Sequence, residues 1–220
     1  MLYILNIYFI YIIRHDKMQV RKEVFMDALG QVLKFLHVLT VVFMSAPLYA
    51  LIIVNERALM GAAMSYKMDR FMENIIRKNA TRCYVLQTTA LVTGIALALA
   101  YGWGWKAIFL NTVLLLKMVL LLLLMALLSV VHFSIQPKIE ALLMQVSGDP
   151  VPDDIAAQIR PLRLRRKKMA AFCLFIVISI VLLGLQTATH FPLALNVVLF
   201  AFAALFSYRV FKSTMAYGWF

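Results

Sequence analysis

Charge is scarce in this chain, and acid is scarcer than base. Only 15% of its 220 residues are charged, with 10 Asp and Glu against 22 Lys and Arg. Soluble domains carry about a quarter charged residues, and 64% of this chain is hydrophobic, with mean hydropathy +0.87. One soluble core cannot bury that much apolar surface, so the composition predicts a protein dissolved in a bilayer. Cysteine is nearly absent. Cys83 and Cys173 form no CxxC or CxxCH, which removes a dithiol motif, c-type haem attachment and a zinc knuckle. Each Cys sits near the start of an apolar run and reads as a small buried hydrophobe. Dinucleotide, Walker, HExxH and GxSxG patterns are all missing, so no soluble-type catalytic centre is indicated.

What is present is a set of apolar runs. Five are long enough to cross roughly 30 Å of hydrocarbon at 1.5 Å per residue: 32–54, 83–101, 107–133, 170–188 and 192–211. The expected fold is all-α, an integral membrane bundle of about five transmembrane helices. Residues 1–31 form a separate N-terminal segment. Its apolar stretch, 1–13, is short for a span and lacks the basic start and small-residue cleavage site of a signal peptide. Met18 and Met26 are alternative starts, and His15, lying in this segment, is assigned no role. Residues 32–220 form one transmembrane domain.

The basic excess sets orientation. Fifteen Lys and Arg lie in 55–82, 134–169 and the C-terminal tail, against six on the other side. By the positive-inside rule the first side and the C-terminus are cytoplasmic, in a multi-pass protein of the cell inner membrane. The cations stand beside apolar segments, where orientation and anionic lipid account for them, so nucleic acid is not an expected partner. The run Arg163, Arg165, Arg166, Lys167 and Lys168 is expected in a long loop. The 102–105 turn, with Trp103 and Trp105, fits an interfacial aromatic belt.

Met60, Met64, Met68 and Met72 recur at i+4, continued by Ile75 and Ile76, with Lys67, Asp69, Arg70 and Glu73 largely on other faces. This predicts an amphipathic helix lying on the membrane or extending the first span. The alternative is a thioether path for copper(I), which a cytoplasmic position disfavours.

Ionisable residues within spans carry the chemical signal, because they are costly in hydrocarbon. His37 lies in the outer half of the first span and is a candidate haem-iron ligand; a histidine bonded to a neighbouring helix is the alternative. Lys117 lies deep in the third span, where no Asp or Glu falls within any of the five runs. Its partner would be a carbonyl, a cofactor propionate or, once deprotonated, an iron. His132 and His190 are weaker metal candidates. At 1.5 Å per residue His37 and His132 stand ~25 Å apart in height, whereas His37, Lys117 and His190 fall within roughly 7 Å of one level. Any single site therefore lies around His37. Asn111, Gln87, Asn196 and Gln186 are candidates for interhelical hydrogen bonds, and Thr93-Gly94 for close helix approach.

Phe35-Leu36-His37-Val38-Leu39-Thr40 with Pro47 and Leu48-Tyr49, Thr93-Gly94, and Leu116-Lys117-Met118 followed by His132 and Gln136-Pro137-Lys138-Ile139 resemble the first three helices of the CopD-like and HemJ-like membrane proteins. The HemJ-like side implies haem b and porphyrin oxidation, with His37 and Lys117 at the matching positions; the CopD-like side implies copper movement. The sequence departs from that pattern at Phe43, where HemJ-like proteins tend to have tryptophan, and in its fifth helix. Three functions stay open: a b-type haem redox protein, a non-catalytic subunit of a larger membrane complex, and a copper transporter. Whether the chain is an enzyme stays open with them.

Overall fold

The computed structural model describes residues 2–56, 64–101, 104–187, 189 and 191–213, with side chains from residue 27 onward apart from that of residue 107. The described residues contain no strand. They form α1 (Leu2–Glu56), α2 (Tyr66–Ala100), α3 (Gly104–Leu110), α4 (Thr112–Val130), a π-helical turn (Val131–Ile135), α5 (Gln136–Met144), α6 (Asp153–Gln186) and α7 (Leu193–Lys212). Five helical segments are long and apolar enough to cross a membrane: Asp27–Glu56, Tyr66–Ala100, Thr112–Met144, Asp153–Gln186 and Leu193–Lys212. The protein is a multi-pass membrane bundle.

The helices outrun the apolar runs that announce them. At 1.5 Å per residue α2 and α6 are each about 50 Å long, well beyond a ~30 Å hydrocarbon layer. Both begin at the end of the bundle where α1 finishes. This is termed the basic end, and the opposite end the far end. Two expectations change here. Residues 66–82 extend the second span rather than the first, and the basic run at 163–168 is helix, not loop. Residues 2–31 are likewise continuous in backbone with the first span, since α1 runs unbroken from Leu2.

Prolines and one asparagine shape the interruptions. Pro137 cannot donate to the carbonyl four residues back, and its ring crowds that carbonyl; the π turn at Val131–Ile135 absorbs the misfit just before it. The third apolar run, expected as one helix from residue 107, is divided at Asn111. That side chain accepts from the amides of Val113 and Leu114 at 3.0 and 3.3 Å, capping α4. Asn111 is thus a cap here and not an interhelical partner. Gly104, at φ +69°, begins α3 in a conformation that favours glycine. Gly102 and Trp103 lie outside the described residues.

α6 is the central helix. Half of its apolar window is buried, against a third or less in every other span. Ala170, Leu174, Val177 and Ile180 of α6 pack with Met44, Leu48 and Ile52 of α1, Ala90 of α2 and Leu121 and Leu124 of α4. A second apolar cluster sits at the basic end: Ile135, Ile139, Leu143, Val151, Ile155 and Ile159 close around Met64. Asp149, from the loop before α6, caps α2 across space. Its carboxylate accepts from Tyr66 N and Ser65 Oγ, each at 3.0 Å.

Candidate functional site

Each core-facing stripe turns polar near its ends, producing two polar sites. At the basic end the α6 stripe is Arg163, Arg166 and Lys167, three side chains with no exposed surface. Their spacing of three and four residues continues the apolar stripe of Ala170 and Leu174. Facing them on α2 are Asp69 and Glu73, also buried. Arg163 donates through Nη1 to Asp69 and through Nε and Nη2 to Glu73 Oε1, at 3.1 and 2.8 Å. Arg166 donates through Nη1 to Glu73 Oε2 at 2.7 Å and to Gln136, through Nη2 to Glu73 Oε1 at 2.9 Å, and through Nε to Asn55 Oδ1 at 2.7 Å. Gln136 bonds Glu73 and Glu140, each at 3.1 Å. Lys167 donates to the carbonyl of Ser213, beyond α7, and lies 4.0 Å from Glu56. Four spans and the end of α7 thus meet in one network of three cations and four carboxylates.

This network was not foreseen. The expected methionine face is only partly buried: Met64 and Ile76 face the core but Met68 is exposed, whereas Asp69 and Glu73 point inward. The signal existed in two i, i+4 carboxylates on one helix and cations at 163, 166 and 167 on another. A buried guanidinium is stable only when paired and hydrogen-bonded, and here it is. Met60 lies outside the described residues.

The far-end site is built on α1, α2, α4 and α6. His37 Nδ1 lies 2.9 Å from Thr93 Oγ1. Thr93 uses its one hydroxyl proton on the carbonyl of Thr89 at 2.7 Å, so its oxygen is left to accept. The contact ties His37 Nδ1 to Thr93 and leaves Nε2 as the ring nitrogen free of it. Gly94 makes room for the ring: a Cβ there would stand 3.3 Å from His37 Cε1. Lys117 approaches α6 at a second glycine, where a Cβ on Gly184 would lie 3.6 Å from Nζ. Among the described residues Lys117 has no carboxylate partner.

Helix lengths separate the two sites. His37 to Asn55, Glu73 to Thr93, Lys117 to Gln136 and Arg163 to Gly184 each span about 27–32 Å at 1.5 Å per residue. No family model, no curated protein and no solved structure matches the chain.

His132 stands apart from His37, on the π turn. Its ring packs edge-on to Tyr84 and Phe133, with centroids 6.1 and 4.8 Å away. Tyr84 in turn lies 2.8 Å from Ser129 Oγ, joining α2 to α4. His190 lies outside the described residues, and nothing is described of the His15 side chain. Among the described residues no three His, Cys, Asp or Glu side chains cluster as metal ligands. Gln186 and Asn196 do bond between helices, at 2.6 Å. Gln87 is buried with its Oε1 lacking any hydrogen-bond partner among the described residues.

Proposed function

We propose that this protein is an inner-membrane redox protein that holds a b-type haem at the far end of its bundle and serves electron transfer or porphyrin oxidation. The observation that carries this reading is the hydrogen bond from His37 Nδ1 to Thr93. Axial histidines characteristically bond a second group through the nitrogen that does not face the metal, which fixes ring and tautomer. Three further features fit the group. Nε2 offers a neutral imidazole donor, Lys117 offers a cation for a propionate or a second ligand, and Gly94 and Gly184 keep two helix faces free of Cβ atoms. The resemblance of the first three helices to HemJ-like proteins supports the same two residues. Bound there, a haem would supply one-electron redox chemistry; the chain's part is to orient the ligand and to compensate charge.

In this reading the basic end faces the cytoplasm. Arg160, Arg165, Lys168, Lys138, Arg77 and Lys78 point outward there, where anionic lipid headgroups would meet them. The test is a reduced-minus-oxidised absorption spectrum of the purified chain in detergent. A b-type spectrum near one haem per chain, lost in His37→Ala and retained in His132→Ala, is expected. A featureless spectrum sinks the reading.

A second reading, a non-catalytic subunit of a larger membrane complex, is favoured by α7. Leu193, Val197, Phe202, Leu205 and Tyr208 are all at least 60% exposed, an apolar face wide enough for a neighbouring subunit. Stoichiometric partners retained through mild detergent would support it.

A further inference from the structure

Outside the two polar sites, α1 and α2 leave a groove between them. It has a volume of about 570 Å³, within the roughly 300–1,000 Å³ of small-molecule sites. Phe43 of α1 and Val85 of α2 line it and are 55% and 60% exposed, so it opens on the outside of the bundle. Behind it, and sharing Pro47 and Asn79 with it, lies an inner cavity of only about 50 Å³, which Cys83 and Cys173 also line. Heights along the groove follow from the basic-end network. Asn55 and Glu73 both bond Arg166, so they mark one level on α1 and α2. At 1.5 Å per residue toward the far end, Asn79, Thr81 and Arg82 stand about 9, 12 and 14 Å above that level, and Pro47 and Ala46 about 12 and 14 Å. Phe43, Val85 and Leu86 stand higher, at about 18–20 Å. The groove is therefore polar toward the basic end and apolar toward the far end. Its polar end is also cationic. Arg82 is exposed, and among the described residues no carboxylate pairs with it. Lys78, exposed as well, lies one helical turn below it on the same face. α2 has no acid after Glu73, and α1 has none between Asp27 and the buried Glu56.

We propose that this groove is the site of one anionic phospholipid from the leaflet at the basic end. Arg82, Lys78 and the Thr81 hydroxyl hold its phosphate, and an acyl chain lies against Phe43, Val85 and Leu86. A guanidinium fork matches phosphate oxygens two at a time. A long cationic side chain at the edge of the hydrocarbon keeps its head at headgroup level. Shape alone would admit a neutral lipid, but its headgroup would leave two cations without a counter-charge. A free phosphate would satisfy the cations and leave the apolar half of the groove unfilled. Exposed cations elsewhere at the basic end, such as Arg165 and Lys168, attract anionic headgroups without choosing a position. Between α1 and α2 the cations and the apolar trough follow one another in the order of a lipid's own head and tail, and that order fixes one molecule in place.

The test is native mass spectrometry of the full chain in mixed micelles, titrated with phosphatidylglycerol or with phosphatidylcholine of the same acyl chains. One phosphatidylglycerol per chain is expected, held at least roughly tenfold more tightly than phosphatidylcholine, the scale of a hydrogen bond to a charged group. Arg82→Gln should abolish that preference. Arg165→Gln removes the same charge from the exposed face of α6 and should cost no more than the roughly fivefold of any one cation near anionic headgroups. Ala46→Trp fills the groove without changing charge and should also lose the lipid. His37→Ala should hold it as the wild type does, which keeps this result separate from the haem reading. Equal retention of the two lipids, equal losses in Arg82→Gln and Arg165→Gln, or displacement of the lipid by millimolar inorganic phosphate would each overturn the proposal. Should Arg82→Gln lose its helical circular dichroism, the contrast between the two lipids on the wild type and on Ala46→Trp decides, and wild-type retention in Ala46→Trp refutes the site.

Discussion

Thr93 Oγ1 stands 2.9 Å from His37 Nδ1 and 2.7 Å from the carbonyl of Thr89. One hydroxyl thereby ties Nδ1 and leaves Nε2 as the ring nitrogen that can face a ligand. Thr93→Val keeps the shape of the side chain and removes the acceptor. Haem affinity in a titration of the purified chain should fall by about 10- to 100-fold, and Thr93→Ser should restore it. Equal affinity in Thr93→Val would show that the hydrogen bond does not set the ring.

The two far-end glycines differ in tolerance. A Cβ at Gly94 would come within 3.3 Å of His37, tighter than ordinary contact, whereas one at Gly184 would stand 3.6 Å from a flexible lysine end. If the far end holds haem as proposed, Gly94→Ala should therefore shift its absorption spectrum or reduce its content. Gly184→Ala should leave both close to wild type. The reverse order would mean that Lys117, not His37, is the constrained group.

At the basic end, Arg166→Met takes two of five donors from the buried Glu73 and leaves Asn55 Oδ1 without its guanidinium partner. Removing one member of a buried ion pair costs about 3–5 kcal/mol, so the denaturant midpoint in detergent should drop steeply. Arg165→Met, one residue away on the exposed face, should stay within about 0.5 kcal/mol of wild type. Similar losses for both would show that the network does not hold the bundle together.

Asp149 caps α2 from a loop more than eighty residues away in sequence. Asp149→Ala should cost about 1 kcal/mol, the usual worth of a helix cap. It should also speed amide exchange at Tyr66 while exchange in the middle of α2 is unchanged. Exchange at Tyr66 as slow as in the wild type would mean that the carboxylate is dispensable.

The class of the protein and the presence of five spans were legible in the chain, because a bilayer crossing is a local property: about twenty apolar residues in a row suffice, whatever they pack against. So was the level shared by His37 and Lys117, since helix rise converts position into height once the spans are known. Beyond the hydrocarbon, the i+4 methionine spacing pointed to helix over 66–76, whereas residues 153–169 read as loop. Both are too polar for a hydropathy signal, and each presents a charged stripe to the other. Arg163, Arg166 and Lys167 look like solvated, lipid-facing cations until Asp69 and Glu73 are placed opposite them. Burial of charge is a property of pairs, and which pairs form depends on how helices far apart in sequence are set side by side. The same holds for Asn111, a cap and not a glue between helices. It holds also for Cys83 and Cys173, ninety residues apart, which line one cavity because α2 and α6 rise together from the same network of ion pairs. Hydropathy along the chain is enough to say which segments dissolve in the membrane; which polar groups face one another follows only from how the helices pack.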